Sequence, residues 1–338
     1  MYAQIERHRY NNPLNIYYDI LFNFMEVIVE LSKEHPTLPV AEVRACLDAC
    51  DIEYEELYHN SVFFARINKR ISEFADRIAM SFSINEFLGY TIDECVENAN
   101  IKGTFKVEGG TYSMRKELGE KIRERSRAKV DLENPDTIIK IFSERKLFFA
   151  REIAKIERRY FEGRRPPKRP FSPPVSMHPR IARALVNLTR VHRSETLLDP
   201  FCGTGGILIE AGMIGAKVIG IDIKKKMVEG CKKNLDYYGI HNYELFNEDM
   251  REFEGGADAI ATDFPYGRSS HLSDEMEKLY EEAFEKMGEM LNKGRRAVVG
   301  LPSLRYRDIA KKYFKIEEIH CVRVHKNLTR FFYVLLRF

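Results

Sequence analysis

TLLDPFCGTGGILIEAGMIGAKVIGIDI, residues 196–223, decides how the second half of this chain folds. Apolar runs at 197–198 and 218–221 flank a glycine-rich turn and a helical stretch, the order strand, turn, helix, strand. Strands joined by a helical crossover run parallel, and a parallel sheet buries both faces under helices. The alternation continues outward: RIARALVNLTRV precedes the stretch, and KKMVEGCKKNLDYYG, YELFNED, DAIATDF, an acidic helix over 274–291 and RRAVVGLP follow it. The ending differs. KIEEIHCVRVHKNLTRFFYVLLRF reads as two strands joined by a loop too short for a crossover, so the final hairpin places one antiparallel strand in the sheet.

Gly203, Gly205 and Gly206 let a ligand approach the backbone and leave a helix N-terminus open to it. Asp222 ends the next strand 17 residues after Gly205, where a carboxylate accepts hydrogen bonds from ribose hydroxyls. This spacing suits two cofactors, a nicotinamide dinucleotide and S-adenosylmethionine. The choice between them comes from DAIATDFPYGRS at 258–269. A strand there runs into a proline turn, putting Asp263, Phe264, Pro265 and Tyr266 on the same rim as the glycine loop. Asp263 and the Phe264 carbonyl are two acceptors for one exocyclic amine, and Tyr266 is a flat face for a flipped-out base. Hydride transfer needs no such set. A P-loop is excluded because G-x-x-x-x-G-K-[ST] is absent.

The first half reads differently. MEVIVEL, IEYEEL, SVFFARI and SFSINEFL are strands, with helices in PVAEVRACLDAC and NKRISEFADRIA, giving βαββαβ, the ferredoxin-like arrangement. KGTFKVE then forms a strand and SMRKELGEKIRERS a helix with Ser113 as its cap and Glu117 and Lys121 at the i, i+4 spacing. DTIIKIFSE and KLFFAREIAKI alternate as half-buried antiparallel strands do. RRPPKRPFSPPVSMHP holds six of the 13 prolines and marks the boundary between the halves. Residues 1–24 precede a second methionine and read as an N-terminal extension.

Fifty-four Lys and Arg against 51 Asp and Glu leave a net charge of +3, which by itself names no partner. Residues 1–99 carry 8 basic and 17 acidic side chains, and residues 100–170 carry 20 and 11, so the basic excess is concentrated in one central segment. Its densest run, REIAKIERRYFEGRRPPKRP, interleaves cations with aromatics as an RNA surface does. With 44% hydrophobic residues the chain has enough apolar mass for large cores, excluding disordered, collagenous and disulfide-scaffold classes. The six cysteines form no C-x-x-C pair and the nine histidines no metal-binding cluster, so no protein-bound metal is expected. No apolar run spans a membrane and no signal sequence is evident, which reads as cytoplasmic.

Taken together, EHPTLPVAEVRA, FSPPVSMHPRIARALVNL, DPFCGTGGILIEAG, TDFPYGRSS and HKNLTR resemble the THUMP-domain RNA methyltransferases, in particular the tRNA guanosine-10 2-amino methyltransferases of archaea and eukaryotes, over about residues 25–338. The resemblance implies an α/β chain: a Rossmann-like, seven-stranded S-adenosylmethionine methyltransferase domain at 176–338, its parallel sheet carrying an antiparallel C-terminal strand. A ferredoxin-like domain at 25–90, a THUMP domain at 91–157 and a Pro/Arg-rich linker at 158–175 precede it. It implies methylation of the 2-amino group of guanosine in tRNA, with Asp263, Phe264, Pro265 and Tyr266 as the catalytic turn. Phe264 stands where the family pattern D-P-P-Y has proline. The expected cofactor contacts are Asp199, Gly203, Thr204, Gly205, Asp222, Ile223, Asp249, Met250 and Asp263. Lys121, Arg125, Arg158, Arg159, Arg164, Arg165, Lys168 and Arg169 are the expected RNA contacts. The alternatives are a base-amino methyltransferase acting at another RNA site or on DNA adenine, a non-catalytic RNA-binding partner, and a dehydrogenase. No activator subunit is implied.

Overall fold

The computed structural model describes residues 24–68, 71–172, 177–265, 273–325 and 328–338. Of the N-terminal extension only Phe24 falls within them, and Tyr266 of the expected catalytic turn lies outside them. In chain order the first half forms β1 (Met25–Leu31), α1 (Leu38–Ala49), β2 (Tyr54–His59), β3 (Val62–Ile67), α2 (Ile71–Arg77), β4 (Ser81–Gly89), α3 (Ile92–Asn98), β5 (Thr104–Gly109), α4 (Tyr112–Ser126), β6 (Lys129–Val130), β7 (Thr137–Ser143) and β8 (Leu147–Lys155). The second half forms α5 (Arg159–Gly163), α6 (Pro179–Leu188), β9 (Thr196–Asp199), α7 (Gly206–Met213), β10 (Lys217–Ile221), α8 (Lys225–Tyr237) and β11 (Tyr243–Phe246). It continues with β12 (Ala257–Asp263), α9 (Ser273–Met290), β13 (Leu291–Leu301), α10 (Arg307–Tyr313), β14 (Lys315–His325) and β15 (Leu328–Leu336).

The chain divides into two compact units. One takes the described residues of 1–33, 51–75 and 81–156 around a sheet of order β2-β3-β1-β4-β8-β7-β5-β6. The sheet runs without a break across residue 90 because β4 pairs antiparallel with β8, from Ser83↔Lys155 to Gly89↔Phe149. β5 lies parallel to both β6 and β7, a pairing that needs a crossover, and α4 supplies it between β5 and β6. Leu88, Phe105, Leu118, Ile122, Ile139 and Phe149 form the core beneath that end of the sheet. α3 was missing from the sequence reading although its signature was present: Thr91 and Glu94 form a capping box, each side chain accepting the other residue's amide. The cap of α4 is Thr111 and not Ser113. The Thr111 hydroxyl accepts the Met114 amide at 3.3 Å, and Ser113 lies inside the first turn.

The other unit takes 34–50, 76–80 and the described residues from 157 onward. Its sheet has the order β11-β10-β9-β12-β13-β15-β14. The first five strands are parallel, and β15 runs antiparallel to both β13 and β14. Apolar cores cover both faces, one built with α6 and α7, the other with α9 and α10. Although α1 follows the first strand in sequence, it belongs here: Leu38, Ala41 and Ala45 share a core with Ala182 and Leu185 of α6. Glu42 pins it, accepting the Met80 amide at 2.7 Å, the Ala79 amide at 3.1 Å and the Asn187 side-chain amide at 2.8 Å. Complete burial nonetheless pushes the Glu42 carboxyl up to about 7, against the pull of those donors.

Among the described residues no helix is long and apolar enough to cross a membrane, and no group of three or more His, Cys, Asp or Glu could hold a metal.

Candidate active site

Because β9, β10 and β12 are parallel, their C-terminal ends share one rim, and Asp199, Asp222 and Asp263 arrive there together. The glycine loop between β9 and α7 is held by the end of β10. The Cys202 amide donates to the Ile221 carbonyl at 2.9 Å, and the Gly203 amide to Asp222 Oδ2 at 3.1 Å. Gly203 and Gly205 have φ of 52° and 79°, the left-handed region that favours glycine. Their roles differ. A Cβ on Gly205 would stand 2.6 Å from Cys231 Sγ on α8, so this glycine permits helix packing. A Cβ on Gly203 would meet nothing within 4 Å, so this one faces open space where a ligand can approach the backbone.

The Asp222 carboxylate accepts one backbone N–H on each oxygen, Gly203 on Oδ2 and Lys224 on Oδ1 at 2.8 Å. A carboxylate has about four acceptor sites, so two remain, as a ribose diol requires. Asn247, just beyond β11, donates to the carbonyls of Asp222 and Ile223 at 3.0 Å each and so fixes this corner. Ile223 is 67% exposed and offers an apolar face to a base. Asp199 is buried, accepts the Phe201 amide at 3.1 Å and shapes the turn from within. Burial raises its carboxyl to about 7, opposed by the Thr262 hydroxyl and the Phe201 amide and reinforced by the charges of Asp263 and Asp222. The Asp222 carboxylate and the open face of Gly203 fit the ribose and adjoining chain of S-adenosylmethionine.

Asp263 ends β12 and pairs with Arg330 of β15, Oδ2 to Nη2 at 2.8 Å. Opposite it in the sheet register is Gly300, where a Cβ would stand 2.5 Å from Asp263 Oδ1. Phe264, at the position of the family's proline, is buried against Phe201, Tyr280 and Phe284 with ring centroids 5.0–5.2 Å apart, and its amide donates to the Gly300 carbonyl at 3.1 Å. The next carbonyl, of Pro265, accepts the Tyr280 hydroxyl at 2.7 Å. An aromatic anchor thus holds the turn where proline would have stiffened it.

The remaining expected cofactor contacts are placed unevenly. Thr204 is buried, and its carbonyl accepts the Asn234 side-chain amide at 2.9 Å. Asn234 also bonds the amide and carbonyl of Phe171, tying the Pro/Arg-rich segment to the glycine loop. Met250 is in the core. Asp249 is held by Arg251, whose Nε and amide donate to Oδ1 at 2.9 and 3.0 Å, and the guanidinium keeps its carboxyl below the usual range.

Of the expected RNA contacts, Arg125, Arg159, Arg165 and Lys168 are exposed. Lys121 is half-buried and bonds Asp93 at 2.7 Å and Glu117 at 3.6 Å, and Arg158 bonds Glu34 at 2.6 Å. Arg164 and Arg169, against the expectation of RNA contacts, are buried. Arg164 grips the fully buried Glu210 of α7 through Nε at 2.7 Å and Nη2 at 3.0 Å, and Arg183 shares that carboxylate at 2.9 Å. Arg169 Nε donates to the Arg164 carbonyl at 2.9 Å. Arg164 thus ties the linker to α7, Arg169 bonds within the linker, and burial leaves neither an open face for a phosphate. The residues that sequence reading missed at the site are Asn234, Asn247, Tyr280, Gly300 and Arg330. HKNLTR alone had drawn attention, for its resemblance and with no role attached.

Residues 166–331 match the family model described as RMKL-like, methyltransferase domain. The tRNA (guanine(10)-N2)-dimethyltransferase of Methanothermobacter thermautotrophicus is 36% identical over 337 residues, covering 93% of this chain and all of that protein. This chain belongs to the tRNA (guanine(10)-N2)-dimethyltransferase family. The member from Pyrococcus abyssi is 45% identical over 213 residues, 61% of this chain and 64% of that one. Among solved structures, TrmN from Thermus thermophilus superposes with a TM-score of 0.52 at 18% identity, covering 93% of this chain and 100% of that one, and so shares its fold. The family's chemistry is S-adenosylmethionine-dependent methyl transfer, and the α/β fold with its mixed sheet is that of a methyltransferase.

Proposed function

We propose that this chain methylates the exocyclic 2-amino group of guanosine 10 in tRNA, in two successive transfers, a reading that accords with the name dimethyltransferase borne by its archaeal relatives. The observation that carries the reading is the placing of Asp263, on a glycine-loop rim and at the entrance of an anchored turn. S-adenosylmethionine supplies, when bound, a methyl group already activated on a sulfonium. The protein's part is therefore positioning. Asp222 and the open face of Gly203 would hold the ribose and adjoining chain, with Ile223 against the base. Asp263 would accept an N–H of the guanosine amine, aim its lone pair at the methyl carbon, and stabilise the positive charge that grows on nitrogen as the C–N bond forms. The new ammonium is strongly acidic, so its proton leaves to Asp263 or to water without a stronger base.

We infer also that the eight-stranded unit combines a ferredoxin-like part with a THUMP part and docks tRNA. Support comes from the β2-β3-β1-β4 order within a βαββαβ chain and from the exposed Arg125. Arg159, Arg165 and Lys168 of the other unit would add phosphate contacts, which position without reading sequence. The test is nucleoside mass spectrometry of a tRNA transcript incubated with the full chain and S-adenosylmethionine. Mono- and dimethylguanosine should appear and vanish when guanosine 10 is replaced by adenosine. Guanosine methylation that survives the replacement overturns the assigned position.

A further inference from the structure

In a sheet whose functional strands are parallel, catalytic groups come from C-terminal strand ends. An antiparallel strand inserted in such a sheet presents its N-terminal end at the same rim. β15 is that strand, pairing with β13 from Arg296↔Leu336 to Leu301↔Phe331. Arg330 is the next residue toward the rim, and it meets Asp263 there.

The pair is tightly specified. Arg330 is 5% exposed, so its guanidinium sits in a desolvated place and holds Asp263 Oδ2 at 2.8 Å. On the other side, Asp263 Oδ1 occupies space that any side chain on residue 300 would take. One oxygen is thus held by the guanidinium and the other fits a gap in the neighbouring strand, which favours one orientation of the carboxylate. Held in this pair, the Asp263 carboxylate presents oxygen acceptors, which an incoming N–H donor requires.

We propose that Arg330 is a positioning residue for methyl transfer, fixing the Asp263 carboxylate in the orientation from which it receives the guanosine amine. The inference rests on the reading of Asp263 given above and assigns the final hairpin a part in the chemistry. An amine held by a freely rotating carboxylate would spend most of its time off the line of attack, so loss of Arg330 should lower kcat and leave binding alone.

The test uses the full chain, a tRNA transcript and labelled S-adenosylmethionine. Arg330→Met should lower kcat about 100-fold, the scale of losing a precisely held charged group. KM for tRNA and the calorimetric affinity for S-adenosylmethionine should stay within about threefold of the parent, since the buried Arg330 offers little surface to either ligand. Arg330→Lys keeps the charge and should recover about a tenth of the parent rate or more. Asp263→Asn with Arg330→Met should be no slower than Asp263→Asn alone, because the two act as one unit. Arg330→Gln is read in the same way if the methionine variant does not fold. A kcat within threefold of the parent, losses that multiply in the double variant, or a lysine variant as slow as the methionine one would overturn the proposal. Full activity in Asp263→Asn would instead overturn the reading of Asp263 itself, so the two failures are distinguishable.

Discussion

Asp222→Ala tests the cofactor loop most directly. The native carboxylate makes two charge-assisted hydrogen bonds to backbone amides, at 2.8 and 3.1 Å, and keeps two acceptor sites for ligand. Lys224 is exposed and the Gly203 amide partly so, and water can replace the carboxylate at both. The stability cost should therefore be small, about 1 kcal/mol or less. The ligand loses more. Two hydroxyls each forfeit a bond to an ionised acceptor worth about 1.5 kcal/mol, and the Gly203 amide loses the anchor that orders the loop. The sum is about 3 kcal/mol, or roughly a 150-fold weaker affinity for S-adenosylmethionine. Calorimetric titration of the folded variant measures it, with circular dichroism establishing the fold. An affinity within threefold of the parent would refute the ribose assignment and return Asp222 to a purely structural part in the loop.

Gly300→Ala sets a Cβ 2.5 Å from Asp263 Oδ1 and 3.1 Å from the buried Phe332 ring, so it should displace the carboxylate, lower the thermal midpoint and cut methyl transfer by tenfold or more in the protein that stays folded; wild-type turnover would show that the Asp263 orientation is immaterial. Arg164→Ala removes one of two cations from the fully buried Glu210 and should cost about 3 kcal/mol in thermal stability, whereas exposed Arg165→Ala should leave stability unchanged and weaken tRNA binding with a shallower salt dependence. The opposite pattern, read by calorimetry and filter binding, would restore Arg164 to the RNA surface. Burial raises Glu42 and Asp199 to about 7 from ordinary values near 4.5 and 3.8, so the folded chain holds protons there that the unfolded chain releases. Their contribution is full below the unfolded values and is lost as pH rises through about 7, roughly 3 kcal/mol for Glu42 alone. The thermal midpoint of Glu42→Gln should consequently fall less between pH 5 and pH 8 than that of the parent; equal falls would show that Glu42 is not the group.

The elements themselves were legible in the sequence. Periodicity separates strand from helix at MEVIVEL, DAIATDF and the acidic run after 273, and the structure places them at Met25–Leu31, Ala257–Asp263 and Ser273–Met290. The strand ends at the rim were legible too, since a strand followed by a glycine turn and another ending at Asp263 carry their geometry in local order. What local order cannot carry is which segment covers which. α1 lies between two strands of one unit and packs in the core of the other, because its apolar residues pair with α6 and its buried Glu42 needs the Ala79, Met80 and Asn187 donors. A run of arginines reads as an RNA surface until Glu210, 46 residues further along from Arg164, takes one of them out of solvent. Gly300 and Arg330 are separated from Asp263 by 37 and 67 residues and share no motif with it. Only the sheet order β12-β13-β15 sets the three side by side, since the spacing between neighbouring strands, and not distance along the chain, decides what a carboxylate can touch.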